Sequence, residues 1–244
     1  ELAHEPEINW LAWDAVGYTG IELWNYMSEF KSRVTSPLAA LVYALSPRLG
    51  ILGPFPETLA RWDALQADRP VPALGGVDAH AHTYRLGPIK RLVFGYDHLF
   101  RALTTHLLLP ADWSRAFASD AQMVYNALGG GRSFLAYDGL APARGFAFTA
   151  QHGEAVYTLG DAFVARGKAA FRIVSPSTAR LRLLLNGHCV ATQDGTMLEH
   201  SSSAPGVYRA EAQRRYAGRW RAWVFTNSIR MRTQPRLGDR VRRP

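Results

Sequence analysis

The sequence predicts an α/β domain followed by a small antiparallel β-sandwich. In the first half, helix-length segments alternate with short apolar runs, which is typical of parallel strands covered by helices. After about Pro142 the helix-length segments stop, and short β-rich runs recur at intervals of about ten residues. Turn dipeptides such as Asn186-Gly187 separate these runs and indicate antiparallel hairpins.

The strands and helices of the first half are predicted from apolar spacing and breaker residues. Ile21–Asn25 is a short apolar strand with a polar end, and Val71–Leu74 is a second strand. Pro37–Leu45 is a helix of mainly apolar residues that we expect to be buried. Pro56–Asp68 is an amphipathic helix whose first residue is proline, where the missing N–H is harmless. Ser114–Leu128 is a helix that stops at a run of three glycines.

The second half is predicted to be a series of short strands. Asn186-Gly187 and Asp194-Gly195 both fit tight hairpin turns between them. The predicted organisation is therefore an α/β domain over residues 1–142, a β-sandwich over 143–235 and a basic tail over 236–244. The predicted strands are Gly145–Gln151, Ala169–Val174, Arg180–Leu185, Cys189–Gln193, Thr196–His200, Gly206–Ala212 and Arg221–Thr226.

The composition is that of a globular protein. Hydrophobic residues make up 48% and charged residues 20% of the 244 residues, which is typical of a chain that buries a core. The single cysteine, Cys189, excludes an intramolecular disulfide framework. No apolar run reaches the roughly 18 residues of a membrane span, and no secretory leader is recognisable. We therefore expect a soluble protein without a membrane partner, either cytoplasmic or exported after removal of a leader.

Positive charge is concentrated near the carboxyl end. The chain has 28 Lys and Arg residues against 20 Asp and Glu, a net charge of +8. Eleven arginines lie from Arg209 onward, against only Glu211 and Asp239, so this segment alone carries +9. Because the arginines alternate with aromatic residues such as Tyr208 and Trp220, we interpret them as the solvated face of strands followed by a tail. Contact with a polyanion is the alternative.

The stretch from Val71 to Gly87 contains the candidate functional residues. Asp78, His80 and His82 alternate directly after Gly75-Gly76. In an extended chain, side chains two residues apart lie on one face, and we then expect the ligating atoms of Asp78 and His80 within about 5 Å of each other. Carboxylate oxygen and imidazole nitrogen are ligands for Zn, Mn or Fe in hydrolytic centres. From the spacing alone, a hydrogen-bonded polar loop is the simpler alternative.

A resemblance to a known family favours the metal site. The segment GGVDAH (residues 75–80) resembles the closing motif of the PHP family, the polymerase and histidinol phosphatase type metallo-phosphoesterases. LAHEPE (2–7) is similar to the family's strand ending in His-Pro, and GIELWN (20–25) to the strand that follows it. ALGGGRSFLAYDG (127–139) resembles the segment that leaves the catalytic domain. Later segments resemble the β-sandwich of the family's carbaryl-hydrolase-like branch; they are LGDAF, NGHCV, GVYRAEA and FTNSIRM.

The resemblance implies both a fold and a metal-dependent activity. It implies that the first domain is the later part of a distorted β/α barrel. Carried over by position, it makes His4, Asp78 and His80 ligands of divalent ions, which would be Mn, Zn or Fe, with up to three ions in a complete site. His4 is followed by Glu5 and not by proline, so this match is incomplete. His82 has no counterpart, and we assign it a supporting role beside the ligands.

The family's entry motif, His-X-His on the first barrel strand, has no counterpart in this sequence. We therefore expect the chain to be part of a longer precursor or to work with a separate N-terminal chain. Arg85, Lys90 and Arg91 follow the ligand motif and are candidates for binding phosphate oxygens, with ordinary surface charge as the alternative. No general acid or nucleophile can be assigned, so the catalytic residues stay unknown.

Other polar and aromatic residues are interpreted as structural. Asp97, His98 and His106 fall in a region predicted to be helical, where adjacent residues do not face one point. Trp24 could line a substrate pocket, but large aromatic side chains are usually part of a core.

Two functions of different classes follow from the sequence. The first is a metal-dependent hydrolase of small-molecule phosphoesters or related esters or carbamates, in which metal-activated water is the nucleophile. The second is a non-catalytic binding or structural fragment that acts through the β-sandwich and the arginine-rich tail. A nucleic-acid partner rests only on the tail and on family analogy, and is not expected.

Overall fold

The computed structural model describes residues 12–81, 83–86 and 89–233, and strands dominate it. The first part contains β1 (Ile21–Asn25), α1 (Tyr26–Arg33), α2 (Pro37–Leu45), α3 (Pro47–Gly50), α4 (Pro56–Asp68), β2 (Ala73–Gly76), β3 (Thr83–Leu86), β4 (Ile89–Leu92), α5 (Tyr96–Ala102), β5 (Leu103–Leu107), α6 (Phe117–Gly129) and β6 (Ser133–Tyr137). The second part contains β7 (Ala147–His152), β8 (Ala155–Tyr157), β9 (Ala162–Val164), β10 (Ala169–Leu185), β11 (His188–Ser202), β12 (Gly206–Tyr216), β13 (Arg219–Thr226) and β14 (Ile229–Arg232).

Ten of these strands form one continuous sheet. Its main path is β5-β6-β13-β12-β10-β7-β8, while β11 pairs with β10, and β14 joins β12 to β9. The pairs are antiparallel except for β14 with β9. Phe134 on β6 and Tyr157 on β8 come from distant parts of this path, yet they share one core with Phe171 and Trp223. The sheet therefore curls around its own core.

The predicted fold class is wrong. We expected residues 1–142 to be the later part of a PHP-type β/α barrel, with a separate sandwich after it. Among the described residues, however, only β1 and β2 form a parallel pair in that part, and β5 and β6 join the antiparallel sheet through β13. The sheet thus continues across residue 142. The physical reason is that Ser133–Tyr137 is buried at every position. A strand buried on both faces has the same continuous pattern in a parallel and in an antiparallel sheet, so the sequence does not distinguish the two.

Several elements nevertheless lie where the sequence predicts them. Ile21–Asn25, Pro37–Leu45 and Pro56–Asp68 begin and end at the predicted residues, and Ala73–Gly76 begins two residues after the predicted start. The elements described after Gly145 are all strands. Asn186 and Gly187, with φ of 49° and 81°, form the expected turn between β10 and β11.

One predicted turn is part of a strand instead. Asp194-Gly195 lies inside the 15-residue strand β11, where Asp194 is opposite Arg180 of β10. The irregularity is on the other strand, because the pairing jumps from Val174 to Ala179 on β10. The pairing of the two strands is therefore interrupted by a bulge on β10, and not by a turn on β11 as the sequence predicts.

A second core lies beneath the helices. Trp24 and Trp62 are fully buried there and pack with Phe225 of the sheet. The Trp24 indole N–H donates to the Glu29 carboxylate at 2.7 Å, and the Trp62 indole N–H donates to the Val71 carbonyl at 2.8 Å. Trp24 is thus a core residue, as predicted, and the site strands β1 and β2 rest on this core.

Helix α2 is apolar but exposed, although we expected it to be buried. Leu38, Leu41 and Leu45 are 70%, 54% and 59% exposed. Apolar composition predicted the helix itself, but burial depends on a covering element, which composition does not specify. Within the described ranges, no helix combines the length and the apolar character that crossing a membrane requires.

The late arginines follow the prediction only in part, since Arg215 and Arg219 are exposed but others are not. We expected a solvated strand face, but Arg209 and Arg230 are buried. Arg209 contacts the carboxylates of Asp63 and Glu211, at 2.7 Å and 2.5 Å. Burial of a guanidinium group is tolerated because these carboxylates compensate its charge.

Candidate functional site

The carboxyl ends of β1 and β2 form a polar edge. The strands are parallel, with Asn25 opposite Gly76 at their last pair, so the chain leaves both strands at the same edge. The Asn25 Oδ1 accepts the Ser28 N–H at 2.9 Å and caps helix α1. The Asn25 Nδ2 donates to both oxygens of Glu22 at 3.3 Å and 3.2 Å. The segment after Gly76 therefore begins beside an oriented carboxylate.

Asp78 and His80 form a hydrogen-bonded pair just beyond this edge. Strand β2 ends at Gly76, so neither residue lies on a strand. Asp78 has a φ of 47°, in the left-handed region, and the Nε2 of His80 lies 2.7 Å from the Oδ1 of Asp78. The left-handed backbone at Asp78, in a segment without regular secondary structure, therefore accompanies the approach of the two side chains, and not the strand alternation that we predicted. They are 40% and 54% exposed, which leaves them accessible from solvent.

This pair offers one oxygen and one nitrogen ligand. Metal–ligand bonds of about 2.0–2.2 Å place neighbouring ligand atoms about 3.0–3.4 Å apart, so the observed 2.7 Å would have to widen by about 0.3–0.7 Å. Among the described residues, no group of three His, Cys, Asp or Glu side chains is arranged to hold an ion. His4 and His82 lie outside the described residues. The ligand set His4, Asp78 and His80 therefore stays a prediction.

Glu22 is a carboxylate that the sequence interpretation missed. Its Oε1 lies so close to the backbone of Gly76 that any Cβ at that position would collide with it. Gly76 thus lets an exposed carboxylate cross from β1 over the end of β2. The available signal was the single acidic residue within the apolar strand Ile21–Asn25, beside a Gly-Gly pair on the neighbouring strand.

The predicted phosphate-binding residues lie on the hairpin that follows. In the register of β3 and β4, Arg85 is opposite Lys90, and Arg91 is opposite Tyr84. Directly opposite residues share one face of a hairpin, so Arg85 and Lys90 occupy one face and Arg91 an alternate position. Lys90 is exposed.

A second histidine–carboxylate pair lies on the large sheet. His106, which we expected in a helix, is on β5, with its Nε2 at 2.8 Å from the Oδ2 of Asp138 and 3.0 Å from the Oγ1 of Thr104. Burial opposes ionisation of Asp138, but hydrogen bonds from His106, Thr104 and the Ala143 N–H outweigh it and lower its pKa. The hydroxyl and the carboxylate contact the same imidazole nitrogen, whereas a catalytic triad uses both nitrogens. We therefore interpret this cluster as structural.

Comparisons with known proteins add little to this geometry. No protein-family model matches the chain, and no curated protein is significantly similar to it. Among solved structures, the PmoD soluble domain from Methylocystis sp. ATCC 49242 (Rockwell) is similar over 34% of this chain and 90% of that domain, with 12% identity and a TM-score of 0.27. A similarity this weak carries no argument about fold or function.

Proposed function

We propose that the protein binds a divalent metal ion through Asp78 and His80 and hydrolyses a phosphoester or a related ester with metal-activated water. The observation that carries the proposal is the 2.7 Å approach of the two side chains, in an irregular segment at the carboxyl edge of a parallel strand pair. This edge is where ligands commonly bind in α/β arrangements. The order of AHEPE, GIELWN and GGVDAH, which resembles that of the PHP family, supports the same chemistry.

In this proposal, the residues at the edge have separate tasks. Asp78 supplies an anionic oxygen ligand and His80 a neutral nitrogen ligand. A bound ion would lower the pKa of a coordinated water so that hydroxide forms near neutral pH. Glu22 adds a second carboxylate at the same edge, and the positions of Arg85 and Lys90 bring positive charge for phosphate oxygens. Two protein ligands hold an ion weakly, so the proposal includes His4 and ligands from a further segment or chain.

Metal binding by single variants tests the first part of the proposal. The purified chain would be stripped with EDTA and titrated with Zn²⁺ or Mn²⁺ by calorimetry. We expect Asp78→Ala and His80→Ala each to weaken binding by about tenfold or more, because each removes one ligand. Glu57→Ala and His188→Ala are matched controls, since both residues are exposed and lie elsewhere in the fold. They should bind metal like the wild type.

Hydrolysis of p-nitrophenyl phosphate in the presence of Zn²⁺ or Mn²⁺ tests the second part. Activity should require the ion and should be lost in Asp78→Ala, while the circular dichroism of the sheet is unchanged. Metal affinity that is equal in the wild type, Asp78→Ala and His80→Ala would mean that the two residues are an ordinary hydrogen-bonded polar pair and not metal ligands. Metal binding without hydrolysis would support the non-catalytic alternative instead.

A further inference from the structure

A cleft of about 480 Å³ opens between α3, α5 and the end of β6, on residues that the proposed metal site does not use. Its polar lining includes Arg48 on α3, and His98 and Arg101 on α5. Tyr137 at the end of β6 and Tyr216 at the end of β12 complete the wall. The volume is typical of sites for small molecules.

Positive charge exceeds negative charge around this cleft. Among the described residues, Asp97 is the one acidic residue that lines it, and the Asp97 carboxylate pairs with Arg101 at 2.9 Å. The Arg48 guanidinium lies 6.0 Å from the centre of the Tyr216 ring and forms no ion pair with a described carboxylate. One carboxylate thus faces two guanidinium groups, so an anion entering the cleft would be attracted.

Uncharged aromatic groups lie at and behind the wall of the cleft. His98 Nε2 lies 3.0 Å from the hydroxyl of Tyr26, which is fully buried, and the rings of Tyr26 and Tyr137 are 6.0 Å apart. Burial lowers the pKa of His98, with Asp97 opposing and Arg48 adding to the effect. Burial also raises the pKa of Tyr137 to about 12. At neutral pH, therefore, His98 is mainly uncharged and Tyr137 keeps its proton, so Arg48, Arg101 and Asp97 set the charge of the cleft.

We propose that this cleft binds a small organic anion, with its phosphate or carboxylate group between Arg48 and Arg101. The apolar part of the ligand would lie against Leu45, Pro47 and Tyr216, which also line the cleft. Leu45 is 59% exposed, so it presents apolar surface that a ligand could cover. The proposal needs neither a metal ion nor the Asp78–His80 pair, and it therefore stands apart from the proposed hydrolase function.

Calorimetry with phenyl phosphate, benzoate and inorganic phosphate tests this site, on protein that has been stripped of metal with EDTA and then dialysed free of the chelator, so that neither a metal site nor the chelator contributes. We expect one equivalent of phenyl phosphate or benzoate to bind, and inorganic phosphate to bind more weakly because it has no apolar part. Arg48→Ala and Arg101→Ala should each weaken binding by about tenfold, since each removes a charge-assisted contact. Arg166→Ala, at an exposed position elsewhere, should not change the affinity.

Two further measurements separate this proposal from the others. Arg48→Lys keeps the charge and should retain more affinity than Arg48→Ala, and Asp78→Ala should bind phenyl phosphate like the wild type. Comparing phenyl phosphate with benzoate shows which oxyanion the cleft prefers. No saturable binding of either compound below about 1 mM would overturn the proposal. An affinity that is the same in the wild type, Arg48→Ala and Arg101→Ala would also overturn it.

Discussion

The side-chain amide of Asn227 pairs with the backbone of Ala73 as a neighbouring strand would. Its Oδ1 accepts the Ala73 N–H at 2.7 Å, and its Nδ2 donates to the Ala73 carbonyl at 3.2 Å. The same Nδ2 donates to the carbonyl and the hydroxyl of Ser133, at 3.1 Å and 2.8 Å. All three residues are buried. One side chain therefore joins β2, which leads into the candidate metal site, to β6 of the large sheet.

Asn227→Ala should lower the free energy of unfolding by about 2–4 kcal/mol. The truncation leaves the backbone groups of Ala73 and Ser133 buried without these partners, and that penalty exceeds the value of an average hydrogen bond. Urea unfolding measures the change. Asn126→Ala is the control, because Asn126 is exposed on α6 and should change stability by less than about 0.5 kcal/mol. Equal stability of the two variants would mean that Asn227 does not hold β2 in place.

Arg209 should be the most sensitive charged residue of the junction between α4 and β12. Its Nε and Nη2 donate to the carboxylate of Asp63 at 2.7 Å and 2.8 Å, and its Nη1 donates to Glu211 at 2.5 Å. Arg209→Met keeps a long aliphatic side chain but removes the guanidinium group, which leaves two carboxylates without their cation. We expect a loss of about 3–5 kcal/mol in urea unfolding.

The control for Arg209 is an arginine whose ion pair is exposed. Arg180 also contacts a carboxylate through two nitrogens, with Asp194 at 2.8 Å and 3.1 Å, but on the exposed face of β10 and β11. Arg180→Met should cost less than about 1 kcal/mol, because exposed ion pairs are screened by solvent. Similar losses in the two variants would contradict the view that burial makes the Arg209 pair critical.

Local elements were predictable from the sequence, whereas their partners were not. Pro56–Asp68 was found because apolar spacing and an initial proline are local signals. The pairing of Ser133–Tyr137 with β5 and β13 was missed because a strand buried throughout has no alternation to show its sheet type. The burial of Arg209 depends on Asp63, which is 146 positions earlier in the chain, so no local pattern reports it.

The candidate site was predictable in part, for a similar reason. The spacing of two residues made a short distance between Asp78 and His80 predictable. The conformation that goes with it was not, because the backbone at Asp78 is left-handed, and no local pattern in the sequence specifies that. Glu22 was missed because its place at the edge depends on the pairing of β1 with β2. The cleft beside Arg48 was also missed, because its wall is assembled from four separate parts of the chain.

Glu29 should make the stability depend on pH. Its carboxylate is buried and accepts hydrogen bonds from the Trp24 indole and from the backbone N–H groups of Leu52 and Gly53. Burial raises its pKa above the ordinary 4.5, and these hydrogen bonds oppose the shift only in part. An acid with a raised folded-state pKa stabilises the fold below its unfolded pKa, and this contribution is lost as the pH rises through the folded pKa.

The comparison of wild type with Glu29→Gln isolates this contribution. The free energy of unfolding of the wild type minus that of Glu29→Gln should decrease as the pH rises above 4.5. Urea unfolding of both proteins at about pH 5 and about pH 8 measures it. The variant cannot ionise at this position, so other titrating groups cancel in the difference. A difference that is constant, or that increases with pH, would contradict a raised pKa of Glu29.

Gly160 and Gly153 should respond very differently to the same substitution. Both have positive φ, 83° and 61°, so alanine at either position pays the cost of the left-handed backbone, about 1–2 kcal/mol. A Cβ at Gly153 meets nothing within 4 Å, whereas a Cβ at Gly160 would collide with the carbonyl oxygen of Gly130, at the end of α6. The Gly160 N–H also donates to the Ser228 carbonyl at 2.9 Å, so this loop is held from both sides and has little room to move.

We therefore expect Gly153→Ala to lower the free energy of unfolding by about 1–2 kcal/mol and Gly160→Ala to lower it by several kcal/mol more, as measured by urea unfolding, with a correspondingly larger drop in melting temperature. Because the two variants share the conformational cost, their difference measures the backbone contact alone, and equal losses would mean that α6 does not approach Gly160 as closely as described.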